Sequence, residues 1–337
     1  MTQPVSSRII GTGSYLPDRL VTNEEVASHF GLANADVFRV TGIKTRHWCH
    51  PRETCSDLAE QAARRALTSA DESIESIDAI LVSTTSPDTI FPSTACYLQQ
   101  KLQARPVASF DLAASCTGFL YGLSMADAFI RSGQYRCCLV VASEVKSRYL
   151  DASRKASAML FGDGAGAAVV KRAESLGDGR STIKPGLIGM QLHSDGVCHD
   201  LIRVPAGGSK LPGSGDTVQN RLHAIELEGA AVFRAGVKRL SKALEDVLRD
   251  FDLKSSDITQ VITHQANGRI LQAIAKRMRL APDQMFSMIE QVGNTSSASL
   301  PIALDEAFRQ KKFVSGDLIL LGAFGGGLTW GTALVRW

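Results

Sequence analysis

Two stretches of the chain repeat one another. Ser76-Ile77-Asp78-Ala79-Ile80-Leu81-Val82 runs into Ser83-Thr84-Thr85-Ser86, and further on Ser132-Gly133-Gln134-Tyr135 leads into the strand-like Cys137 to Ala142. In the second half Ser256-Asp257-Ile258-Thr259-Gln260-Val261-Ile262 runs into Thr263-His264-Gln265, and at nearly the same interval Ser315-Gly316-Asp317 leads into Leu318 to Leu321. The approaches also match, with Asp127-Ala128-Phe129 before the first Ser-Gly and Asp305-Glu306-Ala307-Phe308 before the second. Self-similarity of this kind predicts two copies of one structural unit, and whatever fold the first copy takes the second must share.

Short, nearly continuous apolar runs recur at 79–82, 107–112, 137–142 and 166–170, and again at 260–263, 285–289, 318–323 and 331–335. Between them lie stretches of helical period: Ser56 to Ser69, Gly118 to Ile130, Ala230 to Phe251 and Arg269 to Leu280. Apolar runs without polar alternation, spaced by helices, read as sheet strands buried on both faces, which makes the fold α/β. Residues 173–218 are rich in Gly, Ser, Asp and Pro and read as an excursion or lid between a half spanning 1–172 and a half spanning 219–337. Its apolar pieces Ile188 to Leu192 and Leu201 to Val204 are further strand candidates.

With 337 residues, 44% of them hydrophobic, the chain can bury a large core, which excludes disorder and coiled coil. Thirty-seven basic against 34 acidic side chains leave a net charge of +3, so no global attraction to nucleic acid is expected. The first twenty residues lack a secretory pattern and no apolar run reaches the length of a membrane span, so an intracellular, cytoplasmic protein off the membrane is expected. Seven scattered cysteines read as reduced thiols. Cys49-His50 with Cys55, and His193 with Cys198-His199, lack paired metal-ligand spacing, so no metal is expected.

Four segments carry candidate chemistry. Cys116, in Leu112-Ala113-Ala114-Ser115-Cys116-Thr117-Gly118, falls where a strand turns into a helix; the positive helix end there predicts a lowered thiol pKa and a nucleophile, against the alternative of a small buried side chain. His264 follows a predicted strand, where open α/β sheets bind ligands, and is either a site residue or a satisfied core histidine. Asn294, in Gly293-Asn294-Thr295-Ser296, reads locally as a helix cap. Gly325-Gly326-Gly327 either lets backbone approach a ligand or makes a crowded hairpin turn. The helix candidate from Gly268 to Arg279 holds Arg269, Lys276, Arg277 and Arg279 and no acid, and is either a solvated face or a dock for an acidic partner. It has no interleaved aromatics for stacking on bases.

In this order and spacing, Ala114-Ser115-Cys116-Thr117-Gly118, His264-Gln265-Ala266-Asn267, Gly293-Asn294-Thr295-Ser296 and Ala323 to Gly331 resemble the β-ketoacyl-acyl carrier protein synthase III family of the thiolase superfamily. The resemblance extends from Ile10-Gly11-Thr12-Gly13 through Phe161-Gly162-Asp163-Gly164 to the last residues. It implies a five-layered α/β/α/β/α fold made by internal duplication, and a homodimer. It also implies an acyltransferase of lipid metabolism that needs no cofactor. Cys116 would take an acyl group from an acyl-CoA or an acyl carrier protein, with the backbone N–H groups of Cys116 and Gly326 as oxyanion hole. His264 and Asn294 would hold malonyl-acyl carrier protein through loss of CO2, giving a 3-ketoacyl product by decarboxylative Claisen condensation.

By the same resemblance Phe91 and Phe324 wall the acyl pocket, Phe91 reaching the partner's, and Arg269, Lys276 and Arg277 dock the carrier, Arg269 foremost for its nearness to His264. Two rivals remain: transfer of the acyl group to a hydroxyl or amine without decarboxylation, as in specialised metabolism, and a carrier-binding subunit without turnover. One departure concerns the donor. Family members stack the adenine of coenzyme A between a Trp and an Arg ahead of Thr-Gly-Ile and another Arg ahead of Phe-Gly-Asp-Gly. Here Val40 and Asp36 precede Thr41-Gly42-Ile43, and Arg154-Lys155 precede Phe161. Lys does not replace a stacking guanidinium, so coenzyme A is expected to be held more weakly or differently.

Overall fold

The computed structural model describes residues 6–173 and 185–337. We number only the strands of the two large sheets and the helices that cover them. The first half supplies β1 (Ser7–Tyr15), α1 (Cys55–Ala70), β2 (Ala79–Ser83), α2 (Thr94–Lys101), β3 (Ala108–Leu112), α3 (Gly118–Arg131), β4 (Cys137–Glu144) and β5 (Gly164–Arg172). The second supplies β6 (Gly186–Ser194), α4 (Gly229–Asp250), β7 (Gln260–Thr263), α5 (Gly268–Met278), β8 (Met285–Phe286), α6 (Ser299–Arg309), β9 (Leu318–Gly325) and β10 (Thr329–Arg336).

The two sheets have one topology. The first is ordered β1-β5-β4-β2-β3 and the second β6-β10-β9-β7-β8. In each, the first two pairings are antiparallel and the last two parallel. The repeat read from the sequence is therefore a repeat of fold. Five layers follow from alternation along the strands. In β2, Ile80 and Val82 pack outward against Leu58, Ala59, Ala62 and Ala66 of α1. Ala79 and Leu81 point inward to the α3–α6 layer, which Ile262, Ile319 and Leu321 of the second sheet meet from the other side. The outer face of that sheet, with Val261, Leu318 and Leu320, is covered by Leu240 and Leu244 of α4 and Ile270 and Ile274 of α5. Both sheets are thus apolar on both faces, which is why their strands read as continuous hydrophobic runs.

The Gly11-Thr12-Gly13 segment takes part in this packing. A Cβ on Gly13 would sit 2.3 Å from the backbone nitrogen of Ala66, so glycine is what lets β1 lie directly on α1. The interval 173–218 is mixed in character. Part of it lies outside the described residues; β6 then runs along the edge of the second sheet, with Gly186 opposite Arg336 and Ser194 opposite Thr329. Beyond β6 the chain makes a two-residue ribbon, Ile202–Arg203 against Glu226–Leu227, and a short helix Gly215–Gln219 before α4. Among the described residues no helix is long and apolar enough to cross a membrane. All seven cysteines are free.

Candidate active site

The duplication brings two equivalent turns face to face. A one-turn 3-10 helix, Ser115–Thr117, leads into α3, and another, Ser296–Ala298, leads into α6. Each opens with a serine in the left-handed region, Ser115 at φ 50° and Ser296 at φ 53°. Non-glycine residues held there cost about 1–3 kcal/mol and are tolerated where the surroundings over-determine them. Here the surroundings are the opposite turn: Cys116 Sγ lies 3.5 Å from Ser296 Oγ. The space over the cysteine is made by Gly325, where a Cβ would come within 2.7 Å of the Cys116 backbone nitrogen.

Cys116 is buried, and this corrects one expectation drawn from the sequence. Burial pushes the thiol pKa up; the Ser296 hydrogen bond and Lys146 oppose that shift while Glu144 adds to it. Desolvation is the largest influence on this thiol, and α3 begins only at Gly118, with a 3-10 turn between.

His264 follows β7 directly, and its ring is buried, with Nδ1 2.5 Å from Ser299 Oγ. The backbone N–H of Gln265 donates to the same Ser299 oxygen at 3.2 Å. With the Ser299 hydroxyl as the donor to Nδ1, the ring proton sits on Nε2. Burial lowers the imidazole pKa to about 3, so the ring is a neutral donor at physiological pH. In the other half the equivalent contact is Gly118 on Ser83, where an added Cβ would lie 1.9 Å from Ser83 Oγ. Ser299 and His264 are thus one local elaboration of a packing contact that the duplication otherwise keeps small.

Asn294 has its amide orientation set from both ends. Oδ1 accepts from the Ser296 N–H at 2.8 Å and Nδ2 donates to the Ala266 carbonyl at 3.2 Å. The residue that caps the 3-10 turn is Thr295, one position after the Asn294 read as a cap from the sequence; the Asn294 carbonyl binds the first N–H of that turn, and its amide keeps a second N–H.

Cys116, His264, Asn294, Gly326 and Phe324 line one cavity of about 660 Å³. Phe324 meets the His264 ring edge-on at 5.9 Å between centroids. Gly326 begins the turn between β9 and β10, so the glycine run is both a hairpin turn and cavity wall. Its N–H donates to Ser115 Oγ at 3.2 Å. The donor assigned to the oxyanion is thus engaged by a neighbouring hydroxyl, which an incoming carbonyl oxygen would have to displace.

Arg269 also lines the cavity, at its mouth, and no ion pair engages it among the described residues. Lys276 is exposed further along α5, and Arg277 is 3.8 Å from Glu245 of α4. Phe91 is not brought to this cavity. It is 85% exposed beside Ile90, also 85% exposed. Around the mouth, Val40 lines the cavity while Asp36 pairs with Arg39 (2.5 Å) and Arg154 with Glu226 (2.7 Å).

Sequence reasoning missed Glu144, Lys146, Ser296 and Ser299. Glu144 lies fully buried beneath the two turns. It accepts from Ser296 Oγ (3.1 Å), Ser297 Oγ (2.9 Å) and Ser86 Oγ (2.6 Å) and pairs with Lys146 at 3.0 Å. Burial pushes its carboxyl up, but Lys146 and these hydroxyls carry it below the usual range. The only signal in the sequence was a charged Glu-Val-Lys closing an otherwise apolar strand, Cys137 to Ala142.

Two duplicated sheets around a shared helical layer, with a cysteine where their strand ends meet, define a thiolase-like enzyme. The sequence pattern of 3-oxoacyl-[acyl-carrier-protein (ACP)] synthase III matches residues 110–196, and that of its C-terminal part matches residues 248–337. A beta-ketoacyl-[acyl-carrier-protein] synthase III of Alkalilimnicola ehrlichii is 44% identical over 333 residues, covering 98% of this chain and 99% of that protein. The crystal structure of 3-oxoacyl-[acyl-carrier-protein] synthase III from Aquifex aeolicus VF5 matches with a TM-score of 0.87 at 36% identity, covering 98% of this chain and 100% of that one. That of the priming beta-ketosynthase of the R1128 polyketide pathway matches with a TM-score of 0.88 at 31% identity, covering 99% and 98%. The chain belongs to the β-ketoacyl-[acyl-carrier-protein] synthase III family.

Proposed function

We infer that the protein is an acyltransferase that joins a cysteine-bound acyl group to the malonyl group of malonyl-acyl carrier protein, releasing CO2 and a 3-ketoacyl thioester. One observation carries the assignment of roles: in a member of this family, a buried thiol and two neutral N–H donors of set orientation open onto the same cavity.

In the first half-reaction the Cys116 sulfur attacks the donor thioester carbonyl, and its proton leaves on the donor thiol. The backbone N–H groups of Cys116 and Gly326 hold the oxyanion, the latter after the Ser115 hydroxyl gives way. In the second, His264 Nε2–H and Asn294 Nδ2–H donate to the thioester carbonyl of the malonyl group. The electron pair left by CO2 is held as an enolate on that oxygen. The enolate carbon attacks the acyl-Cys116 carbonyl, the new carbon–carbon bond forms, and the thiolate departs. Neutral donors suit this step because a full positive charge would bind the malonyl carboxylate in the ground state as well as the enolate.

The donor is proposed to be an acyl group on a carrier protein. Val40 at the mouth offers no aromatic face to an adenine, and Arg39 and Arg154 are occupied by carboxylates, whereas Arg269 stands exposed at the entrance to meet an acidic carrier. A homodimer is proposed on the exposure of Ile90 and Phe91, two adjacent large apolar side chains; in it Phe91 would wall the partner's acyl pocket. Acyl-loaded enzyme given malonyl-acyl carrier protein is expected to release one CO2 for each 3-ketoacyl product detected by mass. Product retaining the malonyl carboxylate would refute the condensation. Loading from carrier-borne acyl groups is expected to exceed loading from the matching coenzyme A thioesters.

Ser299 is proposed to position His264. Ser299→Ala leaves the buried Nδ1 without its partner, which costs about 1–3 kcal/mol in the state that needs it. Condensation is expected to fall about tenfold or more, while acyl loading of Cys116 stays unchanged. Ser299→Thr, which keeps the hydroxyl, is expected to restore most of the rate; equal losses in both half-reactions would mean that Ser299 only supports the fold.

A further inference from the structure

Lys146 places an ammonium in the wall of the cavity that Cys116 opens onto. Its side chain is only 7% exposed and its Nζ is 3.0 Å from Glu144 Oε2. A second N–H is donated to Thr85 Oγ1, and the ammonium lies 5.8 Å from the centre of the Tyr149 ring. Lys has three N–H donors, so one is left over among the described residues. The hydrogen-bond path from the reacting sulfur is short: Cys116 Sγ to Ser296 Oγ, Ser296 Oγ to Glu144, Glu144 to Lys146. Thr85 and Tyr149 line the cavity beside Lys146, while Met159, Phe161, Ile202 and Ile225 give it apolar walls.

A buried ion pair is a poor device for stability, since apolar side chains of similar volume usually serve as well. Its presence against an apolar cavity bears on what enters. An alkyl chain pressed on the ammonium would strip its solvation and return nothing, whereas an oxygen acceptor would be met by the unused N–H. Charge also matters. Glu144 is fixed by three serine hydroxyls and already neutralises Lys146, so a carboxylate at the end of the acyl chain would lie near an anion.

We propose that Lys146 sets acyl specificity by donating its remaining N–H to a hydroxyl oxygen on a short acyl chain carried by Cys116. This rests on Cys116 being the acylated residue. The test offers the enzyme an equimolar mixture of N-acetylcysteamine thioesters, which present neither coenzyme A nor carrier protein: butyryl, 3-hydroxybutyryl, 4-hydroxybutyryl and succinyl. The adducts are read by intact mass. The expected result is that one hydroxyacyl adduct exceeds butyryl by about tenfold or more, because a site with a buried donor rejects the analogue lacking the acceptor. In Glu144→Gln/Lys146→Met, which removes both charges together, that ratio is expected to fall to near one or reverse.

A wild-type preference for butyryl overturns the proposal, and so does a preference for succinyl. An unchanged ratio in the double variant also overturns it, by removing Lys146 from the discrimination. If the double variant does not fold, the wild-type ratio decides alone. Absence of any adduct from these thioesters and from carrier-borne acyl groups alike refutes the acyl-cysteine reading itself, and the specificity proposal with it; an adduct from carrier-borne groups alone moves the same competition onto carrier-borne butyryl and hydroxybutyryl groups.

Discussion

Cys116→Ala is expected to abolish the acyl adduct and to lower condensation by on the order of 10⁴-fold or more, the usual consequence of removing a nucleophile that forms a covalent intermediate. The substitution takes away one sulfur from a buried position and leaves the Ser115–Thr117 turn, the Ser296 hydroxyl and Gly325 in place. Stability is therefore expected to change by no more than about 1 kcal/mol, the scale of losing a small buried group and one weak hydrogen bond. Decarboxylation of malonyl-acyl carrier protein without condensation is expected to persist, because His264 and Asn294 are untouched. Intact mass and CO2 release measured on one preparation separate the two. Loss of CO2 release along with the adduct would place the thiol in the decarboxylation step as well. Because burial raises the Cys116 thiol, loading in the native enzyme is expected to accelerate as pH rises from neutral into the mildly alkaline range.

Replacing the donors should give the opposite division. His264→Ala and Asn294→Ala are each expected to lower decarboxylation and condensation by about 10²–10³-fold, the range seen when one preorganised donor to a developing oxyanion is removed, with acyl loading retained. The double variant is expected to lose far less than the product of the two, since both donors serve one oxygen. His264 adds a stability effect with a definite sign. Its folded pKa is lowered to about 3, while an unfolded histidine titrates near 6.5. Between those values the unfolded chain binds the extra proton, so this residue's contribution to stability falls as pH drops through that window, by up to about 1.4 kcal/mol per pH unit. His264→Ala is expected to flatten the acid limb of the melting temperature between pH 6 and pH 4. An unaltered limb would show that the ring titrates as an exposed one does.

Much of the body was legible because its signals are local. The apolar runs 79–82, 137–142 and 318–323 are read correctly because both sheet faces are covered, which removes polar alternation. The run 285–289 proved to be a two-residue strand, since Met285–Phe286 pairs only at the sheet edge before the chain turns. β6 was harder to assign to its half. Glycines at 186 and 189 break its apolar pattern, and its partner β10 lies at the far end of the sequence. At the site, Cys116, His264 and Asn294 stood out by residue type and by position at strand ends. Glu144 and Lys146 did not, because a charge is read as exposed until a structure shows the serines that enclose it.

The sequence by itself determined that there are two like units, that each is a covered sheet, and which thiol, imidazole and amide are brought to the site. Hydrophobic period and residue chemistry act over a few residues, so they can be read in order along the chain. Only the tertiary structure decided how those groups behave. That the thiol is raised rather than lowered, that the imidazole is held neutral beside Ser299, and that a buried lysine lines the cavity all depend on burial and on partners distant in sequence. Cys116 meets Ser296, and Glu144 meets Ser296 and Ser297, across the join between the two copies. Electrostatics in a buried site is set by what surrounds a group in space, and at this site the surroundings come from both halves.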